Sequence, residues 1–207
     1  MCVIVYKPKN VKISENTIQD MWLSNPDGAG FVVFQKGKLT VSKGYLDIES
    51  FKYDLEHVKD YSLGIHFRYA THGAVTNEMT HPFIISKDIK EASETFIDTD
   101  KPVLLHNGII TGFGNDKISD TADYVTNVLA HMPSIQVMKK LLHTTGSKYL
   151  LAHNGKIHFI GKFEQYKGLQ VSNTYWDSSR MFADYPSHST QSRFNFNFKS
   201  TKGYLCD

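Results

Sequence analysis

The chain has 207 residues, enough for one domain with a substantial core, and an ordinary globular composition of 41% hydrophobic, 21% charged and 13% aromatic residues. A formal charge of +2, with basic residues scattered along the chain, is too weak to predict binding to nucleic acid or to an anionic membrane. Two cysteines, Cys2 and Cys206, make no disulfide framework; no run reaches the ~18 apolar residues of a membrane span and none makes a signal peptide, so the expected setting is cytoplasmic.

Residues 2–6 are an apolar run closed by Lys-Pro-Lys-Asn, which predicts a buried strand, and residues 16–22 read as a short helix. Asn25-Pro26-Asp27-Gly28-Ala29-Gly30 is dense turn chemistry. The runs 31–35 and 39–41 across Lys36-Gly37-Lys38 then predict a hairpin. Ile48, Phe51, Leu55 and Val58 carry helical spacing. Residues 63–71 alternate, with Ile65, Phe67 and Tyr69 on one face and His66, Arg68 and Ala70 on the other, and lead into a loop at Thr71-His72-Gly73. Residues 101–110 form a second strand-into-turn. Residues 120–131 and 134–142 predict helices, with Asp120 and Ser134 as N-caps. Strands at 149–152 and 156–160 join through His153-Asn154-Gly155. From Ser172 the composition shifts to Ser, Asn, Tyr and Phe without a period. The sum is a layered α+β domain over residues 1–171 with a C-terminal extension over 172–207.

Removal of Met1 would give Cys2 both a thiol and a free α-amine, whose reference pKa of about 7.7–8.0 suits it to take the thiol's proton. The plain alternative is a small buried hydrophobe opening a strand. Arg68 offers a planar fork matched to a carboxylate, or else a surface ion pair. His72 is open to a role beside Thr71 or to a structural one. Asn107-Gly108 reads as a tight turn, or as a side-chain amide beside an unobstructed backbone N–H that together meet an oxyanion. Asp120 fits a helix N-cap and the partner of a substrate ammonium, and the two are compatible.

Taken in order, Cys2, Arg68-Tyr69-Ala70-Thr71-His72-Gly73, His106-Asn107-Gly108-Ile109-Ile110 and Ser119-Asp120-Thr121 resemble the class II glutamine amidotransferases, the N-terminal-nucleophile glutaminases. Asp27-Gly28-Ala29-Gly30 and Asn77 with His81-Pro82 extend the likeness, which covers roughly residues 2–130 and more loosely runs to about 165. Tyr69 stands where some members carry tryptophan, and Asp120 is followed by Thr121-Ala122-Asp123 where Thr-Glu is common.

The resemblance implies the four-layer α/β/β/α sandwich of two antiparallel sheets, with Cys2 ending a central strand. It makes Cys2 the nucleophile and its amine the base, Asn107 and Gly108 the oxyanion hole, Arg68 the clamp on the α-carboxylate of glutamine, and Asp120 the holder of its α-ammonium. Thr71 and His72 would shape that end of the pocket. It implies glutamine as substrate, no cofactor and no metal, and a separate synthetase or transferase that accepts the ammonia, since a chain of this size has no second domain to consume it. The aromatic extension, with Tyr175, Trp176, Phe182, Tyr185, Phe194, Phe196 and Phe198, is a candidate docking surface for that partner or a final strand plus a loose end. Two other readings are an N-terminal-nucleophile amidohydrolase acting on a γ-glutamyl or other amide, and a catalytically silent binding or regulatory protein on the same fold.

Overall fold

Why so many apolar runs in this sequence lack strict alternation becomes clear in a computed structural model, which describes residues 2–35, 37–71 and 73–177. The central strands are covered on both faces. A seven-stranded antiparallel sheet takes β1 (Val3–Lys7), β2 (Ala29–Gln35), β3 (Lys38–Tyr45), β4 (Ser62–Phe67), β6 (Phe96–Thr99), β10 (Glu164–Tyr166) and β11 (Leu169–Val171), in the order β10-β11-β1-β4-β2-β3-β6. A four-stranded antiparallel sheet takes β5 (Phe83–Ile84), β7 (Val103–Asn107), β8 (Lys148–His153) and β9 (Lys156–Ile160), in the order β5-β7-β8-β9.

The five α-helices among the described residues are α1 (Glu15–Ser24), α2 (Ile48–His57), α3 (Ile89–Ala92), α4 (Asp120–Asn127) and α5 (Ile135–Thr144). None is long and apolar enough to cross a membrane. The chain is therefore α+β with two antiparallel sheets.

Three buried clusters follow from the two-residue period of the strands. Val3 and Val5 of β1, with Phe31, Val33, Ile65 and Phe67, face α1 and α2 through Ile18, Met21, Trp22, Phe51 and Leu55. Ile4 between them points the other way and joins Val32 and Val41 to Ile84, Val103, Leu105 and Leu150 of the second sheet. The far face of that sheet, through Leu104, Tyr149 and Leu151, packs on Ala122 and Val125 of α4 and Met138 and Leu142 of α5. At about 1.5–3 kcal/mol for each large side chain fully buried, these clusters carry the fold.

The predicted hairpin forms between β2 and β3, and Asn154 (φ 48°) with Gly155 (φ 68°) supplies the two left-handed positions of a tight β8–β9 turn. Ser134 caps α5 as expected, its Oγ accepting from the Val137 N–H at 3.3 Å. The cap of α4 differs from expectation. Ser119 holds that place, accepting from the Ala122 N–H at 3.2 Å, and Asp120 is the first helical residue. A serine one residue earlier reaches the same turn, which leaves the aspartate carboxylate for other donors.

Candidate active site

Antiparallel pairing brings distant motifs to one end of the sheets. Val3 pairs with Phe67, and Phe67 pairs with Ala29, so Cys2, Arg68 and Gly28 lie side by side just beyond the ladder. Backbone bonds continue the alignment: the Asp27 N–H donates to the Arg68 carbonyl at 3.0 Å, and the Arg68 N–H donates to the Gly28 carbonyl at 2.8 Å. Gly28 turns at φ 113°, where a side chain would be strained and would also meet Thr80 at 2.6 Å. The Asp27 carboxylate then accepts from the Ala70 N–H at 2.8 Å, fixing the residues after β4.

Cys2 is partly buried, and its Sγ accepts the Tyr69 N–H at 3.3 Å. Burial pushes the thiol above its usual value, while the Tyr69 N–H and the Arg68 guanidinium pull it down. Arg68 is buried, with 2% of its surface exposed. Its guanidinium donates to the Ala74 carbonyl at 2.9 Å and the Gly73 carbonyl at 3.5 Å. Burial lowers its pKa, and the charges of Cys2, Asp27 and Asp120 oppose that. The thiol, the cation and two carboxylates thus share one electrostatic environment.

Asp120 is buried at the first turn of α4, where the helix dipole favours an anion. Its Oδ2 accepts from the Ile110 N–H at 2.7 Å, and its Oδ1 from the Thr121 N–H at 2.6 Å and the Thr121 hydroxyl at 3.1 Å. Asn107 closes β7 and is buried; its Nδ2 donates to Ser172 Oγ at 2.8 Å. Gly108 follows at φ 152°, and a Cβ there would sit 2.1 Å from Ser147 Oγ and 3.1 Å from His106 Nε2. Only glycine fits that step.

Cys2, Arg68, Asn107, Gly108 and Asp120 all belong to this end of the sheets. Thr71 is exposed, and His72 lies outside the described residues. Of the aromatic extension, Phe182, Tyr185, Phe194, Phe196 and Phe198 also lie outside them. Trp176 is no docking residue: it is 3% exposed and packs edge-on against Tyr166 at 4.8 Å. Tyr175 is exposed.

Asn173, Ser172, Lys43 and a cluster of three histidines lie beside the site, and none of them was given a role from the sequence. Asn173 donates from Nδ2 to the Cys2 carbonyl at 2.8 Å, and Ser172 serves both Asn107 and β1. Behind the site, three buried histidines pack together. The His66 and His81 rings are 4.1 Å apart, and His81 and His106 6.3 Å apart. His66 donates from Nε2 to the His106 carbonyl at 2.8 Å, and His106 Nδ1 lies 2.8 Å from the Thr121 hydroxyl. Since that hydroxyl donates to Asp120, His106 carries its proton on Nδ1. Four ring nitrogens of the trio have no hydrogen-bond partner: His66 Nδ1, both of His81, and His106 Nε2. Burial holds His66 down to about 3 and His106 to about 4, and keeps His81 well below its usual value. Lys43 is buried nearby, with its Nζ 4.0 Å from the centre of the Phe83 ring. The spacing of these residues along the chain gave no sign of the cluster, because each comes from a different strand or turn.

A separate groove of about 830 Å³ lies between α1, α2 and the start of the chain, lined by Val11, Ile18, Leu55 and Leu63 among others; it shares no residue with the Cys2 site. No protein-family model matches the chain, and no curated protein matches it.

Proposed function

We propose that the protein hydrolyses the side-chain amide of glutamine through a thioester on Cys2 and supplies the ammonia to a separate synthetase or transferase. The observation that carries this reading is the buried Arg68 guanidinium, set beside Cys2 just beyond the β1–β4 ladder, with the Asp27 and Asp120 carboxylates near enough to act on its charge. A zwitterionic head group needs a cation and an anion beside the nucleophile, and a site with both penalises amides that lack either charge, because a buried group is left unpaired. The three buried clusters support the four-layer α/β/β/α sandwich of N-terminal-nucleophile hydrolases, since helices cover the outer face of each sheet.

Chemistry begins once Met1 is removed. The α-amine of Cys2 takes the thiol proton, which matters because burial holds the thiol protonated at neutral pH. The thiolate attacks the side-chain carbonyl carbon of glutamine, and the Asn107 amide and Gly108 N–H meet the resulting oxyanion. Loss of one such donor typically costs ~3–4 kcal/mol of barrier. The protonated amine gives its proton to the leaving nitrogen, the C–N bond breaks, and ammonia departs. Water then adds to the γ-glutamyl thioester, its proton passes to the amine, and glutamate leaves as the thiol is restored.

Ammonia release from glutamine tests the reading, comparing wild type with Cys2→Ala and glutamine with γ-glutamyl amides. Turnover of glutamine that Cys2→Ala abolishes is the expected result. Turnover confined to other γ-glutamyl amides would make the protein a different amidohydrolase, and none at all would leave a binding protein.

A further inference from the structure

Ser172 interrupts a regular ladder. The β1–β11 register pairs Val5 with Val171 and Tyr6 with Gln170, so Ser172 falls opposite Ile4. Its N–H donates to the Ile4 carbonyl at 2.9 Å, as an antiparallel pair requires. The reciprocal bond is replaced: the Ile4 N–H donates at 2.9 Å to the Ser172 hydroxyl, while the Ser172 carbonyl accepts from Lys148 Nζ. The same hydroxyl accepts from Asn107 Nδ2 at 2.8 Å. A fully buried side chain therefore stands where the nucleophile strand, two residues past Cys2, meets the end of β7.

We infer that Ser172 is a positioning residue for the oxyanion donor. Its hydroxyl takes one of the two N–H groups of the Asn107 amide and so fixes the plane in which the other is presented. Because the hydroxyl also holds the backbone of β1, it sets the amide and the nucleophile in one frame. Asn173, gripping the Cys2 carbonyl at 2.8 Å, completes the frame from the next residue. The inference rests on the glutaminase reading, in which Asn107 meets the oxyanion.

Displacement of a catalytic donor by about 1 Å can cost 10²-fold in rate. Ser172→Ala is expected to lower kcat for glutamine roughly ten- to a hundredfold with KM changed less than about twofold, since the head-group contacts through Arg68 and Asp120 are untouched. Alkylation of Cys2 by iodoacetamide, which needs no oxyanion hole, should proceed at the wild-type rate. In an Asn107→Ala background, Ser172→Ala should cost nothing further in kcat. Should Ser172→Ala fail to fold, Ser172→Cys fills the same place with a weak acceptor and should show the same loss of kcat. A Ser172 variant that folds and keeps kcat within about twofold of wild type, or a loss that adds in full to that of Asn107→Ala, overturns the inference while leaving the glutaminase reading intact. Wild-type protein that releases no ammonia overturns both.

Discussion

At the scale of single residues, Arg68 and Gly108 are the positions where chemistry and geometry separate most cleanly. Arg68 supplies its charge to the neighbourhood of Cys2 and Asp120 while part of its fork is spent on the Ala74 and Gly73 carbonyls. Arg68→Lys keeps the charge and loses the planar fork, a change worth roughly 1.5–3 kcal/mol where a charged hydrogen bond is lost. It should reduce kcat/KM for glutamine about ten- to a hundredfold, chiefly through KM, in steady-state kinetics; an unchanged KM would remove Arg68 from the head-group site. Gly108 answers a different question. Gly108→Ala combines a strained φ with a Cβ 2.1 Å from Ser147 Oγ. The strain costs about 1–3 kcal/mol, and crowding a similar amount. Thermal denaturation should show Gly108→Ala strongly destabilised and only partly recovered by Ser147→Gly, which relieves the contact and leaves the backbone strained.

Elements explain both what the sequence made legible and what it hid. The turn-rich Asp27–Gly30 stretch, the β2–β3 hairpin, α2 and the β8–β9 turn were all readable because each depends on neighbours within a few residues. The short strands β5, β6, β10 and β11 were not, since two to four residues carry no period and β6 leaves Phe96 exposed. Residues 2–6 read as a strand, and β1 forms at Val3–Lys7, yet what fixes its start is Ser172 and Asn173, some 170 residues away. Contacts of that range leave no local trace. Ser119 shows the same limit over one residue, because serine and aspartate cap a helix about equally well and only the backbone decides between them. Ser119→Ala should cost about 1 kcal/mol of stability in chemical denaturation, with the Asp120 bonds to Ile110 and Thr121 retained. A neutral result would mean that the cap contributes little to α4.

Across the whole molecule, the histidine trio joins the site to the packing between the sheets. His66 and His106 titrate at about 3 and about 4 in the fold, and His81 is also held low. In the unfolded chain each would titrate near 6.5. Between those values the unfolded chain binds more protons, so stability present above about pH 6.5 falls as pH drops toward the folded values. Arg68, Lys43 and Asp120 face the same region; the two cations add to the cost of protonating His81, and Asp120 opposes it for His106. Urea denaturation should show stability lower at pH 5 than at pH 7, by at most roughly 2 kcal/mol for each buried histidine. A flat profile over that range would contradict the burial of neutral rings. None of this bears on whether Cys2 acts, and that question has the most direct test. Intact-mass and peptide analysis of the purified protein after exposure to the glutamine analogue diazo-oxo-norleucine reads the N-terminus and the nucleophile together. A chain beginning at Cys2 that carries one adduct on that residue is the expected result. A chain that retains Met1 and takes no adduct would contradict the role given to Cys2.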